Sequence, residues 1–242
     1  MFNYKMKIKY DGTNYSGWQI QENAQTIQQV LKDSIEQITR REINLIGSGR
    51  TDAGVHALGQ VANFKFEKKL NLFKFKNSVN SILPTDISVS EISEVNEDFH
   101  SRFNAKTRSY LYLISKEKSP FYHRYSYFYK KEVDFEKLKY LTKLFTGKKD
   151  FTSFCKVNTK VESKICNVLE ANWRKSKIFF LFYIESNRFL YGMVRAIIGT
   201  LLRTLEIEDS ENYIKEIFES KNRESAADAA PAEGLFLFKV KY

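Results

Sequence analysis

Asp52 stands in a turn crowded with small residues, Gly47-Ser48-Gly49-Arg50-Thr51-Asp52-Ala53-Gly54-Val55-His56, and a cation, Arg50, precedes it by two. A carboxylate serves as a nucleophile or a general base when its surroundings keep it ionised and oriented. Glycines let another segment or a ligand approach the backbone closely. Asp52 would serve equally as a plain turn former, because Asp bonds its own backbone in turns. In an extended turn Arg50 projects the same way as Asp52. It could contact a phosphate or fill the space left by an extruded base, or it could be a solvated turn arginine.

Arg195 and Tyr110 are the other candidates. Arg195 interrupts the apolar run Met193-Val194-Arg195-Ala196-Ile197-Ile198-Gly199-Thr200-Leu201-Leu202. A guanidinium in such a setting is costly unless it is paired. Asp52, Glu170 and Glu185 are the available acids, and pairing with Asp52 would lower its pKa and favour the anion. In Arg108-Ser109-Tyr110-Leu111-Tyr112-Leu113-Ile114, strand alternation puts Arg108, Tyr110, Tyr112 and Ile114 on one face. Such a face is either a base-stacking platform or a half-buried row of cross-strand packing pairs.

Two phosphate-loop readings fail. From Gly49 to Gly54 the Walker spacing fits, but Val55-His56 follow where Lys and Ser/Thr are needed. Counting a dinucleotide fingerprint from Gly47, its last glycine position is Asp52. Nucleotide hydrolysis and hydride transfer lose their support. Cys155 and Cys166 form no C-x-x-C pair and the histidines are scattered, so neither a zinc site nor a disulfide framework is expected. The 39 Lys+Arg against 29 Asp+Glu give a net charge of +10, which suits a polyanionic partner such as nucleic acid. The first ten residues alternate rather than forming an apolar block, so no signal peptide is expected. Ile178 to Ile184 is the longest apolar run, far short of a membrane span. A soluble, cytoplasmic protein without a membrane segment is the expectation.

The elements that must carry these residues read as α+β. Residues 5–10 form a strand closed by Asp11-Gly12. Thr26 precedes a helix with Ile27, Val30, Leu31, Ile35 and Ile38 on one stripe. A strand from Leu45 leads into the Gly-rich turn, and another runs from Val61 to Phe66. A helix from Leu72 to Leu83 ends at Pro84, and Ile87 opens another strand. After a boundary near residues 95–105, the strand from Arg108 takes Tyr125–Val133 as its expected partner. Asp134 caps a helix, strands lie near 165–173 and 178–186, buried helix 193–205 and helix 210–220 follow, and Leu235–Tyr242 closes the chain. Two halves are expected, 1–100 with the Asp52 turn and 101–242 with the tyrosine strand and the arginine helix.

At these residues the chain resembles the tRNA pseudouridine synthase A family. The matching stretches are Tyr10-Asp11-Gly12 with Tyr15-Ser16-Gly17-Trp18-Gln19; Gly49 to His56; Phe99-His100-Ser101-Arg102-Phe103 with Arg108 to Tyr112; Asp150 to Phe154; Phe189 to Arg195; and Ala232-Glu233-Gly234-Leu235. They run in the family's order from one end of the chain to the other. The resemblance implies the pseudouridine synthase fold, two similar mixed α/β halves whose sheets meet around a central basic cleft. It implies isomerisation of uridine to pseudouridine in the anticodon stem-loop of tRNA, at positions 38 to 40. Asp52 would be the nucleophile, Tyr110 would contact the target uracil, and Arg195 would pair with Asp52. Arg50 would help extrude the nucleotide; on the platform reading of the strand face, Tyr112 would join the substrate surface. A homodimer acting on tRNA with no metal and no cofactor is implied. Gly192 departs from the family, where Asn or His usually stands.

Overall fold

The computed structural model describes residues 1–157 and 161–242. The chain divides into two compact units, one made of Met1–Lys106 with Phe236–Tyr242, the other of Thr107–Leu235. The boundary thus falls just after Lys106, and the last strand belongs with the first unit, whereas the sequence reading assigned everything beyond residue 100 to the second half.

In the first unit, β1 (Phe2–Tyr10), β2 (Ile46–Gly47), β3 (His56–Phe66) and β4 (Ile87–Val95) join helices α1 (Ile27–Thr39) and α2 (Leu72–Ile82). The sheet runs β4, β1, β3, then the closing strand Leu235–Lys241, and β2 pairs with β3. Alternation sorts β1 by solvation. Tyr4, Met6, Ile8 and Tyr10 are buried, while Lys5 and Lys7 are only partly so and Lys9 is exposed. Tyr4 packs on Phe64 at 5.6 Å, and Phe64 on Phe75 at 5.9 Å, which ties α2 to the sheet. The Thr26 hydroxyl caps α1 by accepting from Gln29 N, and Asn71 caps α2 by accepting from Lys74 N. Helix α2 stops before Pro84, whose ring cannot follow a helical residue. The closing strand lies parallel to β3, Phe236 opposite His56.

The second unit contains β5 (Thr107–Ser115), β6 (Tyr127–Phe128), α3 (Phe135–Thr142), β7 (Gly147–Asp150), β8 (Ile165–Lys175), β9 (Phe179–Ser186), α4 (Met193–Arg203) and α5 (Ser210–Ser220). Its strand order is β5-β9-β8-β7, with β6 on β5. The expected partner of β5 is met only in part. The long antiparallel neighbour is β9, with Tyr110 opposite Ile184 and Tyr112 opposite Phe182. From the 125–133 segment only β6 pairs, and it does so in parallel. Phe145, Phe151, Phe154 and Phe218 form one aromatic cluster with centroids 5.0–6.0 Å apart. Trp173 packs against Phe182 at 4.9 Å, the rings tilted by 45°, and donates its indole N–H to the Thr142 hydroxyl at 2.8 Å, so its one polar side-chain atom is satisfied inside the core. Among the described residues, no helix is long and apolar enough to cross a membrane.

Candidate active site

The Asp52 turn is gripped from two sides. From β3, Gln60 is fully buried and accepts from the Ser48 hydroxyl at 2.7 Å while its amide donates to the Gly49 carbonyl at 2.9 Å. From the segment after β1, Trp18 N–H donates to the Thr51 carbonyl at 3.1 Å, and Gly54 N–H donates to the Tyr15 carbonyl at 3.3 Å. The Tyr10 and Thr51 hydroxyls share a buried hydrogen bond of 2.8 Å. Every one of these bonds falls within three residues of Asp52 except that at Ser48, so the carboxylate sits on backbone held at both flanks.

Glycines make the grip possible. Gly17 has φ +89°, and a Cβ there would lie 2.5 Å from the Thr51 carbonyl oxygen. A Cβ at Gly12 would overlap the Val55 carbonyl, and one at Gly47 would come 2.5 Å from the Trp18 indole. Trp18 itself is 1% exposed. Tyr15 donates to Asp86 at 2.8 Å, and burial followed by that bond pushes its phenol well above the ordinary range, so it stays a neutral donor. The Gly12 N–H and an Asp11 oxygen both lie 3.1 Å from Nδ1 of buried His56, whose ring stacks on Phe236 at 4.7 Å. Asp52 is half-buried at the centre of this frame, and exposed Arg50 bonds through Nε to Gln19 at 3.1 Å.

In the second unit, Arg195 lies in the first turn of α4. Its Nε donates to the Ala230 carbonyl at 2.6 Å, and Ala230 N–H returns a bond of 2.9 Å to the Arg195 carbonyl. Gly199, one turn on, leaves room for that segment, because a Cβ there would overlap the Asp228 carbonyl. The guanidinium is therefore aimed by backbone on one side. Glu185, one of the acids considered for Arg195, accepts from Thr107 and from Tyr183, one oxygen each, at 2.6 Å. Burial first, and that bond second, push the Tyr183 phenol up to about 12. Gly192 caps α4 with φ +74°, a left-handed position where Gly is free and Asn is the best tolerated side chain. The departure from Asn or His thus keeps the backbone conformation.

Tyr110 and Tyr112 part company. Tyr110 is buried, with its ring edge-on to Phe189 at 5.1 Å. Tyr112 is 0% exposed and donates to the Pro231 carbonyl at 2.9 Å, and its ring is so close to Gly234 that a Cβ there would clash. In this structure it packs as a core tyrosine with its hydroxyl capped. Both cysteines are buried and free, and burial pushes the Cys166 thiol up to about 11. Among the described residues, no three of His, Cys, Asp and Glu gather as metal ligands.

A family model described as tRNA pseudouridine synthase matches residues 6–104 and 141–242. The chain belongs to that family. The match takes in the Asp52 turn, the Tyr15–Trp18 clamp and the Arg195 helix of this pseudouridine synthase family member. A protein of Clostridium kluyveri named tRNA pseudouridine synthase A is 43% identical across the full length of both chains. One of the same name from Caldicellulosiruptor saccharolyticus is 41% identical across the full length of both. A third, from Bacteroides fragilis, is 40% identical over 99% of this chain and 96% of its own. The clamp residues Tyr10, Gly12, Tyr15, Gly17 and Trp18 lie in a stretch that the sequence reading quoted for the resemblance without a role. Their spacing hints at a turn, and only the coordinates reveal what the turn embraces.

Proposed function

We propose that this chain isomerises uridine to pseudouridine in tRNA, in the anticodon stem-loop at positions 38 to 40. The observation that carries the reading is Asp52 on a turn bonded at Gly49, Thr51 and Gly54, in a chain related along its whole length to proteins named for this reaction. The reaction breaks the N1–C1′ bond of uridine, turns the ring, joins C5 to C1′ and releases the C5 proton to N1, so no group is gained or lost. Asp52 supplies the carboxylate, which can add to the uracil ring or the sugar, or take a ribose proton. Tyr110 contacts the uracil, and Arg50 assists its extrusion. The target must leave its stack at a cost of a few kcal/mol, and an aromatic contact returns about 1–3 kcal/mol of that. The reading takes the enzyme as a cytoplasmic homodimer that needs no cofactor.

Arg195 is the cation this reading pairs with Asp52, a pairing that favours the anion. Arg195→Met then lets the Asp52 pKa rise, and the acid limb of the pH–rate profile moves to higher pH. An unmoved limb at full activity would sink the pairing. The excess of ten positive charges supports a grip on phosphates, so tRNA affinity should fall by more than about tenfold between 50 and 200 mM salt, read by filter binding; a flat response would remove charge from the docking surface. The direct test is incubation with unmodified tRNA transcripts and mapping of pseudouridine. Product confined to 38–40 supports the proposal, and no product from any transcript rejects it.

A further inference from the structure

The block Phe99-His100-Ser101-Arg102-Phe103 has no part in the chemistry above, yet the first unit holds it with unusual care. Buried Asn3 donates to the carbonyls of Asn96 at 3.0 Å and Phe99 at 2.8 Å. Buried Asn63 donates to Asn3 at 3.0 Å and accepts from Ser101 N–H at 2.9 Å. The Ser101 hydroxyl donates to the Ile46 carbonyl at 2.5 Å, and Tyr242 donates to the Ser101 carbonyl at 2.8 Å. Ile46 lies in β2, which leads directly into the Asp52 turn.

The tip of this bolted loop is apolar and cationic at once. Phe103 is 75% exposed. The His100 ring lies 4.3 Å from it, tilted by 35°, and the Arg102 guanidinium lies 5.6 Å from its centroid. His100 Nδ1 accepts from the N–H groups of Arg102 and Phe103 at 3.2 and 3.3 Å, which fixes the imidazole orientation. An exposed phenylalanine alone means nothing. Here buried amides, a capped hydroxyl and an oriented imidazole fix the loop, and the ring they present makes little contact with the core. A planar π-face beside a cation, rigid before any ligand arrives, is what an unpaired nucleotide meets well: the base stacks and the phosphate finds the guanidinium.

We infer that Phe103, with His100 and Arg102, is a stacking site for an unpaired nucleobase of the RNA substrate, with Arg102 on an adjoining phosphate. This rests on the tRNA reading above and adds a second contact apart from the nucleophile. The test uses the full chain with Phe103→Ala, Phe103→Trp and Arg102→Gln, an unmodified tRNA transcript for kinetics, and a stem-loop hairpin carrying 2-aminopurine at unpaired positions for binding. Phe103→Ala should raise KM for the transcript about thirtyfold, the mid-range cost of a lost base stack, and lower kcat much less. It should also abolish fluorescence quenching at one hairpin position, and Phe103→Trp should restore both. Arg102→Gln should weaken hairpin binding and flatten its salt dependence. Because Phe103 is exposed, an unchanged melting temperature accompanies the effect.

Three outcomes overturn the inference: KM and quenching unchanged in Phe103→Ala; no rescue by Trp; or a loss that tracks dissociation of subunits in sedimentation, which would make Phe103 a contact between copies. Quenching needs no turnover. If the wild-type chain quenches through Phe103 yet makes no pseudouridine, the proposed reaction fails while this site stands. If it makes pseudouridine and Phe103→Ala is indistinguishable from it, this site alone fails.

Discussion

Asp52→Asn is expected to stop pseudouridine formation, lowering kcat by more than about 10³-fold while tRNA binding stays within about twofold. Loss of a nucleophile removes nearly all that its constellation supplies, because the other members then have nothing to activate. The amide has the same shape as the carboxylate, and the turn is held by bonds at Gly49, Thr51 and Gly54 from Gln60, Trp18, Tyr10 and Tyr15. The fold should therefore survive. Quantitative mapping of product in single-turnover reactions, alongside filter binding, separates the two effects. Measurable turnover at a hundredth of the wild-type rate would remove Asp52 from the chemistry.

The next largest effect is expected at a residue that bears no functional group. Gly17→Ala places a methyl 2.5 Å from the Thr51 carbonyl, at a φ of +89° that L side chains avoid. The backbone conformation alone costs about 1–3 kcal/mol. The collision adds a displacement of the turn, and misplacement by about 1 Å costs roughly 10²-fold in rate. Gly147→Ala is the matched control, since Gly147 has φ +90° and nothing within 4 Å of a built Cβ. Both variants should melt earlier, and Gly17→Ala alone should lose kcat. Equal kcat in the two would show that the clamp does not position the nucleophile.

The sequence alone made the periodic elements legible, and the reason is local. Asp134 and Thr26 mark helix starts because a cap bonds residues only three further on, and the 193–203 helix is read from apolar residues adjacent in the chain. What stayed hidden was long-range. Alternation put Tyr110 and Tyr112 on one face correctly, but it carries no information about which face is covered, and Tyr112 lies wholly inside. Tyr125–Val133 pairs with β5 only through β6, while β9 carries the ladder from Arg108 to Ser115; both segments are rich in aromatic residues, so composition does not separate them. In the candidate site, Asp52 stood out by its glycine-rich setting. Apart from Gln60, the residues that hold it, Tyr10, Tyr15 and Trp18, come from the end of β1 and the segment after it, far back in the chain, and nothing in their own neighbourhoods announces the contact. Asp52 with Arg195 and Tyr110 is an assignment by family resemblance, and the mutants above are its trial.

The parallel pairing of Phe236 with His56 has a consequence for biosynthesis. As the polypeptide emerges from the ribosome, the first unit lacks one strand of its sheet, and the imidazole just beyond the Asp52 turn lacks the ring that covers it, until the whole second unit has been made. Early-emerging segments normally fold first; here the unit made first must wait for a strand that follows the whole second unit. Synthesis halted just before Phe236 would consequently damage the unit that was made earlier.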